Sequence, residues 1–190
     1  MNLPNRLTIA RFFLTLGFVV SMSVAWPFSA TVALVLFILG TITDYADGYI
    51  ARRYSMITDF GKLMDPLVDK IMVAGAFICL IPAIPAWAVV VIISREFLIT
   101  GLRLLAASKG VVLPAESVGK HKTGWQIATV IFFLLALSIR EMGGLSLPKA
   151  WIDQALYFGG NTLIAIALIL TLYSGVGYLW RNRGLLETAA

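Results

Sequence analysis

The chain has 190 residues, of which 59% are apolar and 13% charged, and its formal net charge is +5. Ordinary soluble domains carry roughly 25% charged residues, so this composition excludes most of them and points to a membrane protein. One domain over residues 1–190 is expected, because no linker, repeat or low-complexity tract divides the chain.

Residues 7–26 form the first hydrophobic segment, close to the ~20 residues that cross a bilayer. Arg6, Arg11 and the ending Ser23-Val24-Ala25 also resemble a secretory leader. The next span begins almost at once, so this segment is expected to stay in place. Segments two and three cover residues 29–53 and 60–81, with the chain reversing near residues 54–59. Segments four, five and six cover 85–107, 123–140 and 154–180. Cys79, the one cysteine, stands in an apolar run and reads as a small buried hydrophobe. Trp26, Trp87, Trp125, Trp151 and Trp180 all fall at or near segment ends, as an interfacial belt requires. Core packing is their alternative.

The fold class expected is therefore an all-α integral membrane protein with six transmembrane helices. Arg6, Arg52, Arg53, Lys62, Lys109, Lys120, Lys122, Arg181 and Arg183 fall on one side of this arrangement, against Arg140 and Lys149 on the other. By the positive-inside rule both termini are cytoplasmic, and the basic rim faces anionic headgroups and anionic substrates. Nucleic acid is excluded as a partner, since the basic residues are scattered over short loops without a recognition motif.

Asp44, Asp47, Asp65 and Asp69 carry the chemistry. On a helix the first two are three apart and the last two four apart, so each pair shares a face. At ~1.5 Å per residue they lie within roughly 5–15 Å of the helix ends, the depth of lipid phosphates. Carboxylates at membrane depth are kept only where they face an interior site, and four together call for hard divalent cations. Facing pairs suit a two-metal clamp for in-line displacement at phosphorus, with one carboxylate accepting a proton. Gly48 and Gly61 allow close approach to the backbone, and Arg52 could complement a phosphate. One competing reading is an ion-pair network between helices two and three. Its cations would be Arg52, Arg53, Lys62 and Lys70, and unpaired buried charge is costly. A cation carrier is the other, but it predicts acids at the midplane with broken helices.

The pattern Asp44-x2-Asp47-Gly48-x2-Ala51-Arg52-x8-Gly61-x3-Asp65-x3-Asp69 resembles, position by position, the signature of the CDP-alcohol phosphotransferase family. The opening from Leu3 to Arg11, the run Ser94-Arg95-Glu96 to Gly101-Leu102-Arg103, and Gly119-Lys120-His121-Lys122-Thr123 resemble the branch that uses sn-glycerol 3-phosphate. The resemblance implies transfer of a phosphatidyl group from CDP-diacylglycerol to that acceptor, with release of CMP. It also implies six helices, a homodimer in the cytoplasmic membrane, a cavity open to the cytoplasm, and Mg2+ or Mn2+ as cofactor. Asp44, Asp47, Asp65 and Asp69 would be metal ligands, with Asp69 also the general base. Gly48, Ala51, Arg52 and Gly61 would line the cytidine-diphosphate pocket. Arg103, Lys120 and Lys122 would bind the glycerol phosphate, which as a dianion needs cations that an uncharged alcohol would not. Siblings using inositol phosphate, serine, choline-type alcohols or phosphatidylglycerol remain the alternative.

Arg95 and Glu96 lie mid-segment, and each is expected to find a partner on another helix. Arg95 is an open candidate for substrate contact, and Glu96 for an interhelix pair. His121 reads as solvated, Lys70 as structural, and Asp59 as a first-turn acid of segment three. Arg140, Lys149 and Asp153 read as ordinary charges of the outer face.

Overall fold

The computed structural model describes residues 3–53, 59–111, 117–143 and 148–183. Six long helical rods account for them. They are α1 (Leu3–Ser23), α2 (Ser29–Arg53), α3 (Asp59–Cys79), α4 (Ala86–Ser108), α5 (Ser117–Met142) and a final composite rod. That rod joins α6 (Lys149–Ala155), a π turn (Leu156–Gly160) and α7 (Asn161–Arg181) without a break. Four rods are long and apolar enough to cross a membrane: α1, α2, α5 and the composite rod. The other two are α3, with Asp65, Asp69 and Lys70, and α4, with Arg95, Glu96 and Arg103. The protein is a multi-pass membrane protein.

Several expected boundaries move, and the fifth segment begins at Ser117 instead of residue 123. The first segment ends at Ser23 instead of residue 26, and Phe28 in the following turn adopts a left-handed backbone with φ 66°. The last segment starts at Lys149 instead of residue 154 and runs on through Gly159-Gly160. Close packing keeps the helix going there. A Cβ added at Gly160 would lie 2.6 Å from the Phe133 ring, so only glycine admits α5 at this distance. Pro85 and Pro148 precede α4 and α6 with φ near −56° and −55°, a conformation proline already holds.

The apolar core gathers at one end of the bundle. It takes Phe18 from late α1, Phe37 from early α2, Met72 and Phe77 from late α3, and Ile92 from early α4. Phe133 and Leu134 of α5 and Ile164 of α7 close it. At the opposite end, where α1 and α3 begin and α2, α4 and α7 finish, the described residues form a small cluster of Ile99, Leu102 and Tyr178. Core tryptophans are excluded: all five are exposed, from 40% for Trp125 to 69% for Trp180. Trp125 is not at a helix end, because α5 begins eight residues earlier. Cys79 is partly buried against the core. Arg140 and Asp153 form an exposed pair at 3.6 Å.

Glu141 at the end of α5 caps α2. Its carboxylate accepts hydrogen bonds from the backbone N–H of Ala30 (2.8 Å) and Thr31 (3.1 Å) and from the Ser29 hydroxyl (2.9 Å). The first amides of a helix lack internal partners and favour negative charge. Glu141→Ala is expected to cost about 1 kcal/mol, the scale of a lost N-cap, read as a lower Tm in detergent. An unchanged Tm would show that the cap contributes nothing.

Candidate active site

The end of the bundle opposite the core opens into a cavity of about 680 Å3. Phe77, Ile92 and Ile127 belong to its apolar wall, and Asp44, Asp69, Lys70, Arg95, Glu96, Arg103 and Lys122 supply its charge. These charges separate into an acidic pole on α2 and α3 and a basic pole on α3, α4 and α5.

The acidic pole is organised by a residue of α1. Arg11 is fully buried, and its Nη1 lies 2.9 Å from Asp44. The same nitrogen donates to Asp69, and Nη2 donates to Asp47. Three of the four signature aspartates thus converge on one guanidinium. Asp47 is almost wholly buried behind it, whereas the Asp44 and Asp69 side chains keep 42% and 39% exposure at the cavity wall. Asp65 lies one helical turn before Asp69 on α3, and its side chain falls outside the described residues. An ion-pair network, the competing reading of these acids, is therefore present among the described residues, and it includes a cation from α1 that the sequence reading did not name. Among the described residues, no three acidic, histidine or cysteine side chains form a ready-made metal cage. Among the described residues three carboxylates share one guanidinium, which leaves an excess of negative charge at the wall. The donors are hard oxygens, the chemistry that Mg2+ and Mn2+ prefer.

The basic pole is tied together across helices. Lys122 of α5 is buried and donates to Glu96 of α4, the interhelix pair foreseen for Glu96. Arg95 Nη1 lies 3.5 Å from the same carboxylate, while its Nη2 donates to Ser174 of α7 at 3.0 Å. Gly175 makes room for this. A Cβ there would approach Arg95 Cγ to 3.0 Å, so the arginine runs directly over the α7 backbone. Arg103 Nε donates to the Tyr178 hydroxyl at 3.2 Å, and its guanidinium carbon sits 5.4 Å from that ring.

Lys70 corrects the sequence reading. It was expected to point away and be structural, yet it lines the cavity and donates to Thr100 of α4. Neighbouring helical positions differ by about 100°, but this cavity is wide enough to take both Asp69 and Lys70. Gly48 is half-buried on α2 outside the cavity lining, and His121 is exposed. Ala51, Arg52, Gly61 and Lys120 sit on the ends of α2, α3 and α5 nearest the cavity, with side chains outside the described residues. Arg11 is the functional residue that site reasoning missed. Its one sequence signal is a charge five residues past the strongly polar start of an apolar span.

The CDP-alcohol phosphatidyltransferase family model matches residues 1–176. The chain belongs to this family. A Bacillus subtilis CDP-diacylglycerol–glycerol-3-phosphate 3-phosphatidyltransferase is 39% identical, over 99% of this chain and 98% of its own. The Rickettsia bellii protein of the same name is 35% identical over 93% of each chain. That of Salmonella typhimurium is 31% identical over 96% of each. The four-aspartate pattern lies within the matched residues.

Proposed function

We propose that this protein transfers the phosphatidyl group of CDP-diacylglycerol to sn-glycerol 3-phosphate, releasing CMP, in phospholipid biosynthesis. The observation that carries this reading is one cavity with an acidic pole at Asp44 and Asp69 and a basic pole at Lys70, Arg95, Arg103 and Lys122. Relatives named for this reaction share 31–39% of their residues with the chain. A sibling enzyme acting on an uncharged alcohol would have no use for four cations at the acceptor side. A dianionic phosphomonoester does.

In the reaction, the acceptor hydroxyl oxygen forms a bond to the phosphatidyl phosphorus. The phosphoanhydride P–O bond breaks, and CMP leaves with the electron pair. Asp69, exposed at the cavity wall and fixed by Arg11, takes the hydroxyl proton. Asp44, Asp47, Asp65 and Asp69 would hold Mg2+ or Mn2+, which when bound neutralises the diphosphate and the leaving group. Arg103 and Lys122, with Lys70 and Arg95, orient the acceptor phosphate, and Lys120 of α5 belongs to the same proposed set. Gly48, Ala51, Arg52 and Gly61 complete the donor side. In this reading both termini and the cavity mouth face the cytoplasm at the cell membrane, which the distribution of loop lysines and arginines supports, and the protein is a homodimer.

The test is purified protein supplied with CDP-diacylglycerol and a panel of alcohols, with the lipid product identified. Glycerol 3-phosphate should be used and glycerol, serine and inositol should be poor. Arg103→Ala should raise the apparent constant for glycerol 3-phosphate roughly tenfold, since a charge-assisted hydrogen bond contributes about 1.5–3 kcal/mol. The constant for CDP-diacylglycerol should change little. Equal use of uncharged alcohols would move the protein to a sibling branch.

A further inference from the structure

We propose that Arg11 is the resident counter-cation of the aspartate cluster and competes with divalent ions for the same carboxylates. The inference rests on the reading above that these aspartates bind Mg2+ or Mn2+. Three observations support it. Arg11 is fully buried, which is exceptional for an arginine unless its charge is matched. Its two terminal nitrogens reach Asp44, Asp47 and Asp69 on two different helices, so one guanidinium holds together groups that would otherwise repel. Its Nε is buried without a hydrogen-bond partner among the described residues, so the guanidinium is committed through its outer nitrogens alone.

A carboxylate oxygen that accepts a short charge-assisted bond from Arg11 has fewer lone pairs to offer a metal. A guanidinium beside a divalent ion also adds repulsion. Both effects act in the same direction, and both weaken metal binding. Metal loading therefore requires Arg11 to loosen its hold on at least part of the cluster. The arginine keeps the empty site assembled and makes it yield to a cation of higher charge. Arg11 is in this sense a positioning residue that sets metal affinity. A purely scaffolding arginine would do the reverse, since its loss would scatter the ligands.

The test measures Mn2+ binding to detergent-purified protein by electron paramagnetic resonance, with Tm recorded in chelator and in saturating Mg2+. Arg11→Gln should bind Mn2+ roughly tenfold more tightly than wild type. Its Tm in chelator should fall, and the rise in Tm on adding Mg2+ should exceed that of wild type. Arg11→Lys keeps the charge but cannot span three carboxylates, so it should fall between the two, and it carries the test if Arg11→Gln does not fold. Equal or weaker Mn2+ binding by the variants, with wild type binding normally, overturns the role given to Arg11. No Mn2+ binding by wild type overturns the metal reading itself.

Discussion

Excess chelator is expected to abolish phosphatidyl transfer by the purified protein, and Mg2+ or Mn2+ to restore it. The argument is electrostatic. Among the described residues Asp44, Asp47 and Asp69 face one guanidinium, and the donor's diphosphate would bring further negative charge to the same wall. Two like unit charges 4 Å apart repel by about 4 kcal/mol at an effective dielectric constant of about 20. One arginine cannot offset several such pairs, whereas divalent ions can. Transfer measured with radiolabelled glycerol 3-phosphate in chelator decides the matter. Full turnover there would mean that Arg11 alone suffices and that the carboxylates serve another purpose.

Asp69→Asn is expected to cut turnover by at least ~10²-fold, the usual scale for loss of a general base. The amide is nearly isosteric, and its oxygen still accepts from Arg11, so folding and donor binding should survive. The defect should appear in kcat, with the apparent constant for CDP-diacylglycerol close to wild type. Asp44→Asn and Asp47→Asn should instead weaken metal and donor binding together. Asp47 is the sharper case, because its buried carboxylate touches Arg11 and has little contact with the cavity. Near-normal kcat in Asp69→Asn would move the proton acceptor elsewhere in the cavity.

The spacing of the aspartates was legible because helical periodicity converts gaps of three and four into a shared face. That Asp44 and Asp69 would meet followed from the chain reversal between α2 and α3. Arg11 was not legible in the same way. It lies 36 and 58 residues before Asp47 and Asp69, and its role depends on α1 running parallel to α3, which no local pattern encodes. Lys70 was set apart from the site because a single-face argument assumes a narrow groove, whereas the cavity is lined from five helices. The pairing of Glu96 was anticipated on cost alone, since a carboxylate in mid-helix needs a cation. Its partner, Lys122, was assigned to substrate and not to Glu96. The last span was drawn through Gly159-Gly160, and the structure shows why they are there: the rings of Phe132 and Phe133 pack where their side chains would be.

The segregation of the core to one end of the bundle carries a dynamic consequence. Free energies of local opening follow local apolar contact, so the two halves of each helix should differ in amide hydrogen exchange. Amides around Phe37, Phe77 and Phe133 would exchange only with global unfolding. Those around Asp44, Asp69 and Arg103, where neighbours are polar and the cavity admits water, would open far more readily. Ligands that bind this end add their binding energy to the half that lacks packing of its own. The slowing of exchange that they cause should therefore stop within a few turns of the cavity floor. The apolar half then acts as a fixed base on which the reactive half closes.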